Sequence, residues 1–223
     1  MAACSDQIRA ASRALGLERP HLLGYSMGGR AALATAIAAP VGSFASLVLV
    51  GATAGIADPA ERERRIASDR ALADRIEDDG VERFVEEWMA LPLFASQARL
   101  GPAALARSRA QRLRNRAHGL AESLRGMGAG AQPALHGRVP ELTLPGLRVV
   151  GEEDAKFREI ARALEAELPE ARTQLLREAG HAAHLEAPDA FAEVVRAFLA
   201  EVDARSIDSD ESLWGGQAGR GGS

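Results

Sequence analysis

Gly24-Tyr25-Ser26-Met27-Gly28 sets a serine between two glycines, where the apolar run His21-Leu22-Leu23 gives way to an Ala-rich helical pattern. A strand that turns at once into a helix strains the turning residue, and glycines two positions before and two after it let strand and helix pass closely. The hydroxyl of Ser26 then stands above the sheet edge. The backbone N–H of Met27 and the positive end of the helix dipole face the place where an oxyanion would form. A serine needs a neighbouring base to react. Asp154 follows the apolar run Leu147 to Gly151, and His181 follows Gly180 in the loop after Thr173 to Leu176. In that order, His181 would take the proton of Ser26 while Asp154 fixes the tautomer and stabilises the imidazolium. His184 is the competing base, but it opens the approach to the last helix, whereas His181 belongs to the tight Gly-His loop.

These side chains must be carried by a parallel sheet. The spacing predicts a helix over 5–16 ending at Gly16, a strand at 21–24, a helix over 27–38 and a buried strand over 45–51. The sheet pattern then stops. Arg/Glu/Ala-rich helices are expected near 59–77, 81–90, 103–115 and 119–127, punctuated by Gly80, Pro92, Pro102 and Gly128-Ala129-Gly130. Strands resume at 147–151 and 173–176, with a helix between them to about Leu168 and a last helix from Pro188 to about Val202. The expected organisation is an α/β core from residues 1–54 and 136–204, a helical cap over 55–135, and a disordered Ser/Asp/Gly tail over 205–223.

With 223 residues and 47% hydrophobic content the chain can bury a full core. A net charge of −4, with arginines interleaved among acids, offers no basic block for nucleic acid. Cys4 is the only cysteine, so neither a disulfide framework nor a cysteine metal site is expected, and His181 with His184 lacks a third ligand nearby. No Gly-x-Gly-x-x-Gly follows a strand, and no segment has the length of a membrane span or a secretion signal. The expectation is a cytoplasmic protein without metal or cofactor, its oligomeric state open.

Four segments carry a family resemblance: Leu-Leu-Gly-Tyr-Ser-Met-Gly-Gly-Arg at 22–30, Trp-Met-Ala-Leu-Pro-Leu-Phe at 88–94, Val-Gly-Glu-Glu-Asp-Ala-Lys-Phe at 150–157 and Ala-Gly-His-Ala-Ala-His at 179–184. On these the chain resembles one branch of the α/β-hydrolase superfamily, the 2-succinyl-6-hydroxy-2,4-cyclohexadiene-1-carboxylate synthases of menaquinone biosynthesis. The resemblance implies an α/β-hydrolase fold with an inserted helical cap and a lyase that removes pyruvate from its substrate. The triad would then serve as a base, with no acyl-enzyme. The substrate is a small molecule with three carboxylates, which guanidinium groups match well. Arg30, on the first turn of the helix after Ser26, can face the pocket, as can Met27. The resemblance adds Arg65, Arg112 (with Arg114 as its rival) and Trp88, which could equally be cap core. In a chain with 26 arginines and the single Lys156, any one cap arginine must also be weighed as ordinary helix surface.

The chain departs from this family at its start. No strand is expected before residue 5, and the His-Gly pairs at 118–119 and 136–137 fall in the cap and its exit, where they cannot supply the family's second oxyanion donor. An N-terminally shortened member is therefore expected, with the serine-bearing strand unpaired on one side. Two alternatives stay open on sequence: a serine esterase of small esters, and a shortened inactive domain.

Overall fold

The computed structural model describes residues 1–168 and 170–214, with side chains described as far as Arg205. Its frame is a four-stranded parallel sheet in the order β1 (His21–Tyr25), β2 (Ser46–Val50), β3 (Gly146–Gly151) and β4 (Ala171–Leu176). Registers run His21 to Ser46, Leu47 to Gly146 and Gly146 to Ala171. Because strand side chains alternate, Leu47 and Leu49 point to one face and Val48 and Val50 to the other. Helices α2 (Met27–Ala38) and α6 (Ala155–Glu165) supply Leu33, Ile37 and Leu164 to the first face; α8 (Pro188–Trp214) supplies Val195, Phe198 and Val202 to the second. Covered on both sides, β2 and β3 are buried throughout, and each valine or leucine there contributes about 1.5–3 kcal/mol. α1 (Ala2–Ala14) packs on α2. Among the described residues β1 lies at the sheet's edge, and its Leu23 is 47% exposed.

Between β2 and β3 the chain is helical, in the place expected for a cap. α3 (Pro59–Met89) begins at Asp58, whose carboxylate accepts from the Glu61 N–H at 2.6 Å. The two helices expected over 59–77 and 81–90 are one element kinked at Gly80 (φ 87°, ψ 171°). A run of 3₁₀ turns (Pro92–Leu100), α4 (Gly101–Leu113) and α5 (Ala117–Met127) follow. α3 and α5 are tied by Arg125, which donates to Asp74 and Glu77, each at 2.6 Å. A further 3₁₀ segment (His136–Glu141) leads to β3, and the single turn α7 (Ala183–Glu186) precedes α8.

The end of the chain corrects the sequence expectation. α8 runs to Trp214 rather than stopping near Val202, because no Gly or Pro interrupts the chain from Asp189 to Trp214. The rest of the expected disordered tail, 215–223, lies outside the described residues.

Candidate active site

Ser26 sits on the turn between β1 and α2 with φ 50° and ψ −112°, a conformation that costs a non-glycine residue of order 1–3 kcal/mol. Its N–H donates to Val50 O at 2.8 Å and its carbonyl accepts from the Arg30 N–H at 3.0 Å, so sheet and helix both pin it. A Cβ at Gly24 would stand 2.3 Å from Gly28 O, and one at Gly29 would stand 2.6 Å from the Ala52 Cβ. The sequence reading gave the second close approach to Gly28, but a Cβ at Gly28 meets nothing within 4 Å; the crowded position is Gly29, where α2 crosses the end of β2. Met27 is the first residue of α2, so its N–H has no acceptor within the helix.

Asp154 and His181 reach this serine from the ends of β3 and β4. His181 Nε2 lies 3.0 Å from Ser26 Oγ, and His181 Nδ1 lies 2.8 Å from Asp154 Oδ2. Asp154 is also the N-cap of α6, its Oδ1 accepting from the Phe157 N–H at 3.3 Å. One carboxylate thus closes the helix end with one oxygen and orients the imidazole with the other. The ring of Phe157 packs 4.4 Å from that of His181, with Tyr25 and Phe94 farther out at 5.3 and 6.0 Å. His184 stays outside the relay. Its ring lies 4.5 Å from Tyr25, its Nδ1 finds no partner among the described residues, and burial pushes its pKa down.

A second arrangement of the same residue types lies at the opposite end of the sheet. His21 Nδ1 is 2.8 Å from Ser46 Oγ and His21 Nε2 is 3.1 Å from Asp203 Oδ1. Ser46 is completely buried, so no substrate reaches its hydroxyl. The relay at Ser26 opens instead into a cavity of about 830 Å³.

That cavity lies between sheet and cap and is lined by Ser26, Met27, Arg30, Asp154 and His181 from below and by Arg65, Trp88 and Arg112 from the cap. Arg30 is buried and donates to Gly128 O at 3.3 Å and Gln132 Oε1 at 3.1 Å, both neutral acceptors. Burial, then the nearby Arg65, lowers its pKa, the response of a cation without a contacting carboxylate. Arg65 Nε donates to the buried Asp69 at 2.7 Å. Arg112 bonds to Ser108, whereas its rival Arg114 is exposed and does not line the cavity. Trp88 lines the cavity and also packs between Phe84 and Phe94, at 5.4 and 5.7 Å. Sequence reasoning missed Gln132, which holds Arg30 from the far side of the cap exit. It also missed the packing of Phe94 and Phe157 on His181, although each closes one of the family segments, 88–94 and 150–157. No group of three or more potential metal ligands occurs among the described residues.

The comparisons with known proteins bear on the family and the fold. The model of the alpha/beta hydrolase family matches residues 2–194. A putative 2-succinyl-6-hydroxy-2,4-cyclohexadiene-1-carboxylate synthase of Bacillus subtilis is 44% identical over 188 residues, covering 84% of this chain and 68% of the relative. The structure of MenH from S. aureus superposes with a TM-score of 0.86 at 34% identity, covering 89% of this chain and 74% of that one. A thermophilic esterase from Thermogutta terrifontis gives 0.76 at 27% identity, covering 89% and 71%. The chain belongs to the alpha/beta hydrolase family and, within it, is a relative of the 2-succinyl-6-hydroxy-2,4-cyclohexadiene-1-carboxylate synthases.

Proposed function

We propose that the chain is a lyase that eliminates pyruvate from 2-succinyl-5-enolpyruvyl-6-hydroxy-3-cyclohexene-1-carboxylate to give 2-succinyl-6-hydroxy-2,4-cyclohexadiene-1-carboxylate. The observation that carries this reading is a Ser-His-Asp relay opening into a cavity lined by three arginines. Substrate and product differ by the loss of the enolpyruvyl group at C5 and by a 3-ene becoming a 2,4-diene. A proton must therefore leave C2, the C2–C3 bond becomes double, the ring double bond moves to C4–C5, and the C5–O bond breaks. The expelled enolpyruvate takes up a proton to become pyruvate. C2 is adjacent to the succinyl carbonyl, so negative charge develops on that oxygen, where the Met27 N–H at the start of α2 can meet it. Ser26, with its proton passing to His181 Nε2, is the base; Asp154 holds the imidazole and stabilises its cationic form.

Arg30, Arg65 and Arg112 suit the three carboxylates of this substrate. Trp88 and Met27 line the cavity beside them and would bound the ring. This small-molecule chemistry needs no cofactor and fits a cytoplasmic enzyme; no helix among the described residues is long and apolar enough to cross a membrane. The test is pyruvate release from the precursor by the purified chain, abolished in Ser26→Ala and His181→Ala. The second reading, a serine esterase, is favoured by the likeness to the Thermogutta esterase. Turnover of simple esters without pyruvate release would replace the first reading with the second.

A further inference from the structure

The loop that carries His181 is gripped by a carboxylate the reaction above does not use. Glu186, at the end of α7, has its side chain 2% exposed. Its Oε2 accepts from the Gly180 N–H at 2.8 Å and its Oε1 from the Ala182 N–H at 3.1 Å. One side chain therefore holds the backbone immediately before and immediately after His181. Two charge-assisted bonds to the N–H groups on either side of His181 fix both the direction of that backbone and its distance from α7.

The grip extends into the cap. Arg99, in the 3₁₀ run, places its Nη2 3.9 Å from Glu186 Oε2 and donates from the same nitrogen to Glu178 O at 2.9 Å. Glu178 has a φ of 54°, a left-handed conformation that its carbonyl's bond to Arg99 helps to hold. From its other terminal nitrogen Arg99 donates to Glu153 Oε2 at 2.9 Å, one residue before Asp154. The Glu153 N–H in turn donates to Ala179 O at 2.9 Å. The two loops that bring Asp154 and His181 together are thus joined through one cap arginine.

We propose that Glu186 is a positioning residue for His181, and that Arg99 transmits this grip to the Asp154 loop so that docking of the cap sets the relay's geometry. The consequence for the reaction rests on the function proposed above; the consequence for the His181–Asp154 hydrogen bond does not. Glu186→Gln keeps the shape but presents an NH2 group to one of the two N–H donors, pushing the loop off its seat on one side of His181. Arg99→Met keeps the stem and removes the link from a side chain that is half exposed.

The experiment measures, in wild type and both variants, the steady-state constants for pyruvate release, the melting temperature, and the far-downfield proton NMR signal of the His181 Nδ1–H bonded to Asp154. Glu186→Gln is expected to lower kcat about tenfold to hundredfold, the scale of a displacement near 1 Å. Its KM should stay within about twofold, because Glu186 is not among the groups lining the cavity. The downfield signal should shift or disappear in a protein that still melts cooperatively, and Arg99→Met should change both readouts in the same direction by less. If Glu186→Gln does not fold, Arg99→Met decides by the same measurements. An unchanged signal and kcat in the folded variants overturn the proposal. A wild type that shows the signal but releases no pyruvate overturns the assigned reaction alone, and the NMR comparison still decides the positioning role.

Discussion

Gly51, at the end of β3's neighbour β2, offers a sharp test of how closely the imidazole is packed. It adopts a φ of 52°, and a Cβ placed there would stand 3.0 Å from His181 Cε1 and 3.1 Å from Nδ1. Gly51→Ala therefore does two things. The left-handed backbone costs a residue with a Cβ about 1–2 kcal/mol, and at this chain length each kcal/mol lowers Tm by about 2–4 °C. The new methyl also pushes on a ring tethered at both nitrogens, to Asp154 at 2.8 Å and Ser26 at 3.0 Å, so a shift of a few tenths of an ångström lengthens one of those bonds. A loss in kcat of about tenfold, with a ceiling near hundredfold, follows from such misplacement. Gly16→Ala separates the two effects. Gly16 has a φ of 63°, yet a Cβ there meets nothing within 4 Å, so it carries the backbone cost alone. The assay is pyruvate release beside thermal melting for both variants: similar falls in Tm, and a fall in kcat for Gly51→Ala only. Equal kcat values in the two variants would refute the reasoning.

Three further outcomes are expected. Arg30→Met removes a buried cation from the cavity, and losing one charge-assisted hydrogen bond of about 1.5–3 kcal/mol should lower kcat/KM for pyruvate release by about tenfold to 150-fold. Arg148, buried in β3, donates to Thr173 Oγ1, Leu164 O and Ala171 O; Arg148→Met removes all three bonds, and although Leu164 O keeps the Glu167 and Leu168 N–H groups, the change should cost about 1–3 kcal/mol in urea unfolding. Burial lowers the pKa of His184 below its ordinary 6.5, so the unfolded chain binds this proton first as pH falls. Stability should therefore decline below pH 6.5, and His184→Phe should flatten that decline in urea titrations. Glu77, held down to about 2 by Arg125 and His118, loses its contribution only at lower pH, below 4.5.

What sequence could reveal here follows the range of the forces involved. The strands were legible because Leu47 to Val50 and Leu147 to Val150 must be apolar in a sheet covered on both faces, although Arg148 interrupts the second run with a charge that only its buried acceptors explain. Ser26, Asp154 and His181 were legible because each sits at a turn with a local signature. The 3₁₀ run at 92–100 was not, since two prolines and a short span read as a break between helices. Its contents, Phe94 against His181 and Arg99 across two loops, depend on contacts with residues more than fifty positions away. Gln132 was illegible for the same reason: its partner Arg30 lies 102 residues earlier. Gly28 and Gly29 show the limit of a motif, because the spacing identifies the turn but not which hydrogen atom the crossing chain crowds.

The hydroxyl–imidazole–carboxylate chain of Ser46, His21 and Asp203, whose hydroxyl alone is buried, turns a familiar signature into a warning about address. A template search by interatomic spacing would flag both ends of the sheet, yet an electrophile diffusing in from solvent can meet only one of them. An activity-based probe that modified this protein should leave a single adduct, on the peptide containing Ser26, with the decoy at the floor of the sheet untouched.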